Sequence, residues 1–165
     1  MRQPSHKRLA LVTAGVTLAL AAAGISSGAL ATAPNGETAT PLARGALVAP
    51  ANINRKVNGG TVRIKTAGAL DALTVEITLA PGGTGGWHSH AGPLITIVKQ
   101  GTLTLIDTGC MPHEVSAGHA AILSGSTTKD ENRGTTPVTF EVTFLVPHSA
   151  TSPRIDESAP AGCTA

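Results

Sequence analysis

Aromatic side chains are scarce in this sequence, which has one tryptophan (Trp87), two phenylalanines (Phe140 and Phe144) and no tyrosine. A hydrophobic core must therefore be built from Val, Ile, Leu and Ala, with these three residues as its few large side chains. No basic patch is evident in the sequence either. Because nucleic-acid binding depends on clustered positive charge and on rings that stack on bases, both absences argue against a nucleic-acid partner.

Helix signals and several familiar catalytic motifs are also missing. After residue 32, no run of ten or more residues carries apolar residues at i, i+3, i+4 and i+7 between caps. No Gly-x-Ser-x-Gly motif marks a serine nucleophile. The stretch from Gly82 to Gly86 is not followed by Lys-Ser/Thr or by a helix, so it is not a phosphate-binding loop. Its glycines are predicted to allow a tight strand connection and close backbone approach.

What the sequence does contain is a series of short β-type runs separated by Gly, Pro, Asn or Asp. In two of them apolar and polar residues alternate, which gives each strand one core face and one face that is solvated or lines a cavity. Many short strands of this kind predict an all-β domain, a sandwich or a barrel. The predicted strands cover residues 46–48, 61–65, 73–79, 94–99, 102–106, 120–123 and 138–146.

Residues 1–31 are predicted to be an export signal. Arg2, Lys7 and Arg8 form a basic start, an apolar run follows, and residues 29–31 offer the small-x-small pattern of a cleavage site. An uncleaved membrane anchor is the alternative, because the apolar run approaches the length of a span. After cleavage, 134 residues remain, enough for one domain, and the protein is expected to be secreted with no membrane attachment.

The mature chain is close to neutral and has three predicted parts. The signal takes three of the 12 basic residues and no acidic one, which leaves nine basic against 10 acidic residues and a net charge of −1. A flexible leader is predicted over residues 32–41, the β-domain over 42–149, and a Pro- and Ala-rich tail over 150–165.

The chain has two cysteines, Cys110 and Cys163. In an exported protein such a pair is most simply a disulfide, which here would tie the tail to the loop after Asp107. The alternative is a pair of soft metal ligands, but Cys163 has no His or other Cys close to it in sequence.

Two histidines, His88 and His90, follow the glycine-rich stretch. Residues at i and i+2 on a strand point to the same side, which is how a β-barrel presents two imidazoles to a common centre. The stretch resembles the first motif of the cupins, small double-stranded β-helix (jelly-roll) barrels. Gly82 is followed by five residues and His-x-His, and Gly101 stands at its expected place, but Leu94 occupies the position of the motif's Glu.

The second cupin motif is matched more in spacing than in identity. Gly125 and Asn132 fit its second half, but Thr128 stands where the motif has its metal-binding His, Leu123 stands where it has Pro, and Gly118 is one residue too close. The resemblance covers roughly residues 70–146. The Gly-Trp-His-Ser-His stretch, the Cys-bearing loop and the segment 152–156 are also similar to a group of small exported actinobacterial cupin-domain proteins.

The resemblance implies a jelly-roll fold and a pocket in the barrel. In metal-binding cupins, the two His and the Glu of the first motif and the His of the second hold one divalent ion. Here only His88 and His90 remain as metal ligands, so a site for Fe, Mn, Ni or Zn would be incomplete. Replacement ligands would have to come from elsewhere in the fold. The four candidates, each with an ordinary loop or surface alternative, are His113, His119, Asp130 and Glu141.

The predicted ligand pocket consists of five residues: Trp87, His88, His90, Leu94 and Thr128. The histidines could hold a metal, contact a small ligand directly, or be the remnant of a lost site. Trp87 is predicted to be a packed rim or core residue, with a stacking platform for a sugar or other ring as the alternative.

Three functions are consistent with these residues. The first is an exported cupin-like protein that binds a small ligand, with or without a divalent metal, through His88 and His90. The second is a metal-dependent enzyme of dioxygenase or isomerase type with a non-standard third ligand, and the third is a structural or envelope protein with a vestigial site. The resemblance also implies a homodimer, although the sequence identifies no interface.

Overall fold

The computed structural model describes residues 31–164, and every regular element in this range is a β-strand. The predicted export signal lies outside the described residues, apart from Ala31. Within the described range no helix is long and apolar enough to cross a membrane. The strands are β1 (Asn35–Ala46), β2 (Asn52–Val57), β3 (Gly60–Lys65), β4 (Leu70–His90), β5 (Leu94–Gln100), β6 (Thr102–Ile106), β7 (Pro112–Ser116), β8 (Ala120–Leu123), β9 (Thr128–Glu131), β10 (Val138–Pro147) and β11 (Arg154–Asp156).

The long strand β4 takes part in both walls of the barrel. Its first half lies between β1 and β10, and β5 and β8 continue that wall. Its second half lies between β9 and β11, and β6 and β7 continue the other wall. All pairings are antiparallel. Because β4 pairs with strands of both walls, the walls form one nine-stranded sheet folded on itself. The predicted double-stranded β-helix is confirmed, and the strand that carries both histidines is the one that joins its walls.

The bend of β4 is held by a buried asparagine. The Asn132 side-chain amide lies within 3.0 Å of the carbonyl oxygens of Leu79 and Ala80, and its Oδ1 accepts from the N–H of Gly134. Gly82 follows with a φ of +71°, a backbone conformation that residues with a Cβ rarely adopt. The asparagine of the second motif therefore has a structural task, because it fixes the corner after which β4 enters the second wall.

The core lies between the walls and is built from the predicted alternation. On β4 and β10 the apolar residues point inward, and Val75, Leu79, Val138 and Phe140 are buried. Threonines on the outward faces pair across the two strands. The hydroxyl oxygens of Thr74 and Thr143 lie 3.1 Å apart, and those of Thr78 and Thr139 lie 3.3 Å apart. The other inward-facing core residues of the cluster are Leu73, Leu94, Val98, Leu103, Leu105, Val142, Phe144 and Val146.

Two predicted boundaries are corrected by the structure. Residues 35–41, expected to be a flexible leader, belong to β1 and pair with β4. Residues 154–156 of the predicted tail form β11, which also pairs with β4. Both segments are too polar to suggest a strand by hydrophobic pattern, and they form strands because β4 offers each of them an unpaired edge.

The hairpin of β2 and β3 stands apart from the barrel as a separate two-stranded sheet. All its residues are exposed. It carries four basic side chains, those of Arg55, Lys56, Arg63 and Lys65. Positive charge is therefore concentrated on the hairpin, although the net charge of the whole chain is only +2.

Candidate functional site

A cavity of about 110 Å³ lies between the two walls of the barrel. Apolar side chains form most of its surface, and a smaller set of polar residues lies on the walls. The apolar lining residues are Ala39, Val75, Ile77, Leu94, Leu103, Leu105, Leu123, Phe140, Val142, Phe144 and Pro153. The polar ones are Glu37, His88, His90, Thr96, Thr128, Asp130 and Arg154.

His88 and His90 lie side by side in this cavity, because residues two apart on β4 face the same way. Their rings meet edge to face, with centroids 4.7 Å apart. Nδ1 of His88 lies 2.8 Å from the carbonyl oxygen of Gly86, and Nδ1 of His90 lies 3.1 Å from that of Pro153. A carbonyl oxygen only accepts, so each Nδ1 carries the proton and each Nε2 is left as an acceptor. Neither Nε2 has a hydrogen-bond partner among the described residues.

Burial keeps both imidazoles neutral. Loss of solvent, with a smaller contribution from the nearby positive charge of Arg154, lowers the pKa of His88 to about 4. Loss of solvent also lowers the pKa of His90 to about 4, with a smaller contribution from His88 beside it. At neutral pH the pair therefore presents two lone pairs and no charge to the cavity.

A buried carboxyl group lies next to His88. Asp130, on β9, is only 6% exposed, and its Oδ1 has no hydrogen-bond partner among the described residues. This oxygen lies 3.8 Å from Nδ1 of His88. Burial raises the pKa of Asp130 to about 6. Glu37, on β1, has a raised pKa as well, first because it is partly buried and then because Asp130 is close.

Gly85 makes the space for these two carboxyl groups. A Cβ added at Gly85 would overlap Oδ1 of Asp130 and would lie 2.9 Å from Oε2 of Glu37. The glycine in the middle of the motif thus has a local reason: a side chain there would displace the acid beside His88.

The two positions that carry metal ligands in metal-binding cupins hold groups that do not replace them. Leu94 is buried and has no donor atom. The Thr128 hydroxyl donates to the carbonyl oxygen of Ile106 at 2.9 Å, so its hydrogen is already used. Thr96 also lines the cavity, and its buried Oγ1 has no hydrogen-bond partner among the described residues.

The donor set of this chain does not fit a firmly held transition metal. Among residues 31–164, no group of three or more His, Cys, Asp or Glu side chains could hold a metal ion. Of the four candidate replacement ligands, only Asp130 lines the cavity. Glu141 lies on the outer face and pairs with Lys99 at 2.9 Å, His113 is exposed beside Asp107, and His119 is exposed before β8. Two imidazoles alone make a weak site.

Four of the five predicted pocket residues line the cavity: His88, His90, Leu94 and Thr128. Trp87 does not line it, because neighbours on a strand point to opposite faces. Its ring is buried on the outer side, where Nε1 donates to the carbonyl oxygen of Thr164 at 3.0 Å and Lys129 lies 5.7 Å from the ring centroid. The structure thus gives Trp87 a packing role.

The lining residues that the sequence did not identify include Glu37, Thr96, Pro153 and Arg154. Three of them lie in segments predicted to be a leader or a tail, so no pattern placed them near the histidines. Thr96 was within reach, since it follows Leu94 by two residues on β5 and therefore faces the same way.

The predicted disulfide between Cys110 and Cys163 is confirmed. It joins the loop after β6 to the segment that follows β11. The alternative of two cysteine metal ligands is thereby excluded.

No family model and no curated protein matches the chain. Among solved structures, the chain is similar to a protein of Klebsiella pneumoniae with a double-stranded β-helix domain, at 18% identity and a TM-score of 0.45, over 72% of this chain and 85% of that one. It is also similar to a Cupin_2 domain of a transcriptional regulator from Enterobacter cloacae, at 19% identity and a TM-score of 0.40, over 46% and 80%.

A third similarity is to a recombinant oxalate oxidase, at 23% identity and a TM-score of 0.42, over 51% of this chain. The match covers 45% of that enzyme's chain, so less than half of its length is represented. The assignment of the fold rests on the pairing of this chain's own strands, and these similarities carry no conclusion about activity.

Proposed function

We propose that this protein, which has the cupin fold, binds a small uncharged molecule in its barrel through His88 and His90, without a metal ion. One observation carries the proposal: the imidazoles of His88, which is buried, and His90, which is half-buried, present Nε2 acceptors that have no partner among the described residues to a cavity whose walls are otherwise largely apolar. A ligand that donates hydrogen bonds to these acceptors would pair them while its apolar part covers the apolar walls.

The chemistry of the acceptors defines the ligand. Because both imidazoles are neutral at pH 7 and hold their proton on Nδ1, they accept hydrogen bonds and offer no positive charge. Among the described residues that line the cavity, Arg154 is the only cation. Its Nε donates to Asp156 at 2.7 Å, and its Nη2 donates to the carbonyl oxygen of Gly85. The best ligand therefore carries hydroxyl or N–H donors at one end, with an apolar body toward the phenylalanines.

The size of the cavity limits the ligand further. At about 110 Å³ it is somewhat smaller than an engineered cavity of about 150 Å³ that accepts benzene. A single small ring is therefore the largest ligand to consider, and phenol is a suitable probe because it combines one hydroxyl donor with an apolar ring. Dicarboxylates are poor candidates, since a carboxylate would meet two acceptors and a buried acid.

Thermal unfolding of protein purified without a His tag and treated with a chelator tests this proposal. We expect phenol to raise Tm by several degrees at saturating concentration, because a ligand at about 100 times its Kd stabilises by about 2.7 kcal/mol. Benzene should raise Tm less, and oxalate should not raise it. Elemental analysis before chelation checks the metal: near-stoichiometric Fe, Mn, Ni or Zn that is lost in His88→Leu/His90→Leu would contradict the proposal and favour the metal-dependent alternative.

Export outside the cytoplasm is part of the proposal. The disulfide supports it, because such bonds form and persist in oxidising compartments. Whether the chain pairs into a homodimer stays a prediction, which light scattering of the purified protein would test.

A further inference from the structure

The C-terminal segment, residues 150–164 (the strap), runs alongside the stretch of β4 that carries the two histidines. Its strand β11 pairs with the end of β4, with Arg154 opposite His90 and Asp156 opposite His88. On either side of this ladder, Ala91 donates its N–H to the carbonyl oxygen of Pro153 at 3.1 Å, and Glu157 donates its N–H to that of Trp87 at 2.9 Å. The strap is therefore attached to the very stretch of β4 that forms the site.

The strap is also part of the cavity wall. Pro153 and Arg154 both line the cavity. The carbonyl oxygen of Pro153 accepts the Nδ1 proton of His90, whereas His88 donates its own Nδ1 proton to Gly86 on β4 itself. The two histidines thus differ in their support: His88 is oriented by its own strand, and His90 is oriented by the strap.

The far end of the strap is held by the disulfide. β11 has only three residues, which is little backbone pairing to keep an edge segment in place. Beyond it, Cys163 is bonded to Cys110, and the carbonyl oxygen of Thr164 accepts from Trp87 Nε1. Both cysteines are partly exposed, so a reductant can reach the bond.

We propose that the strap is a lid over the cavity and that the Cys110–Cys163 disulfide keeps it closed. The part that concerns ligand exchange rests on the proposed function. A dithiol reductant opens the lid by thiol–disulfide exchange: the S–S bond is cleaved, two electrons and two protons convert both cysteines to thiols, and the reductant leaves as a disulfide. Without the tether, the short ladder of β11 detaches more often, the wall formed by Pro153 and Arg154 opens, and His90 loses the acceptor that fixes its tautomer.

Nitrogen-15 NMR of the histidine rings tests the lid without any ligand. In the oxidised protein both rings should show one tautomer, with the proton on Nδ1. After reduction with dithiothreitol, the His90 ring should show a mixture of tautomers, whereas the His88 ring should be unchanged. No change in either ring would overturn the proposal, and so would equal changes in both, because the second result means general unfolding.

Exchange of phenol provides the functional measurement. We expect reduction to raise the rate of phenol dissociation by about tenfold or more, which corresponds to a barrier to dissociation that is lower by about 1.4 kcal/mol. The variant Cys110→Ala/Cys163→Ala should behave like the reduced protein, and dithiothreitol should not change it further. If His90 responds as predicted but phenol binds to neither form, the lid stands and the proposed function fails; if phenol exchange is identical in both forms, the lid does not control the cavity.

Discussion

At the scale of single residues, His88 and His90 show how equal spacing can hide unequal environments. Both were identified from the His-x-His pattern, because the two-residue period of a strand places them on one face. Their partners could not be identified, since Gly86 is local while Pro153 lies 63 residues away from His90. The same limit applies to Glu37 and Arg154, which reach the cavity only because β1 and β11 pair with β4.

The buried histidines predict that the protein loses stability in mild acid. The pKa of both is about 4 in the folded protein and 6.5 in an ordinary environment, so between these values the unfolded chain binds more protons. Asp130 opposes this effect, because its pKa rises from 3.8 to about 6 on folding and the folded protein takes up its proton first. Glu37 opposes it too.

The destabilising effect of the two histidines is larger than the stabilising effect of the carboxyl groups. We therefore expect wild type to lose on the order of 2 kcal/mol of unfolding free energy as the pH falls from about 7 to about 5. Urea denaturation at a series of pH values measures this. His88→Leu/His90→Leu keeps the carboxyl groups but lacks the two histidines, so it should gain stability as the pH falls over the same interval. A wild type that is as stable at the lower pH as at the higher one would show that the imidazoles are not buried as described.

Gly85→Ala tests the space beside Asp130. The added methyl group would overlap Oδ1 of a buried acid, so we expect a loss of roughly 1–3 kcal/mol in unfolding free energy. Gly45→Ala is the matched control, because a Cβ at that strand position has no atom within 4 Å. Equal stabilities for the two variants, measured by denaturant unfolding, would contradict the crowding at Gly85.

At the scale of elements, strands rich in apolar residues were predicted and the more polar strands were missed. β10 has apolar residues at every second position and was found almost to its ends. β9, with the sequence Thr-Lys-Asp-Glu, has no apolar residue and is a strand because it fills the place between β4 and β6. The glycine-rich turn was also misjudged, since β4 continues through it into the second wall.

The hairpin of β2 and β3 should add little to the stability of the barrel. Ile64, on β3, is 42% exposed, whereas Leu79, on β4, is fully buried. We expect Leu79→Ala to lower the unfolding free energy by roughly 2–5 kcal/mol and Ile64→Ala by less than about 0.5 kcal/mol. Thermal and urea unfolding of both variants measures the difference; a large effect of Ile64→Ala would mean that another surface covers the hairpin.

At the scale of the whole molecule, the disulfide closes a large loop over the second wall of the barrel. Cys110 and Cys163 are 53 residues apart in sequence, for which loop entropy gives about 4 kcal/mol as an upper value. Cys110→Ala/Cys163→Ala should therefore unfold at lower urea concentration, with a loss of roughly 2–4 kcal/mol. An unchanged midpoint would indicate that the reduced chain already restricts the same loop.

The cavity and its two acceptors are the centre of the account, and the affinity for phenol relative to benzene tests them most directly. Titration calorimetry on chelator-treated protein should give a preference for phenol of about tenfold, equal to about 1.4 kcal/mol, in wild type. In His88→Leu/His90→Leu the preference should disappear. Equal affinities for the two molecules in wild type, or a preference for phenol that survives in the variant, would contradict the account.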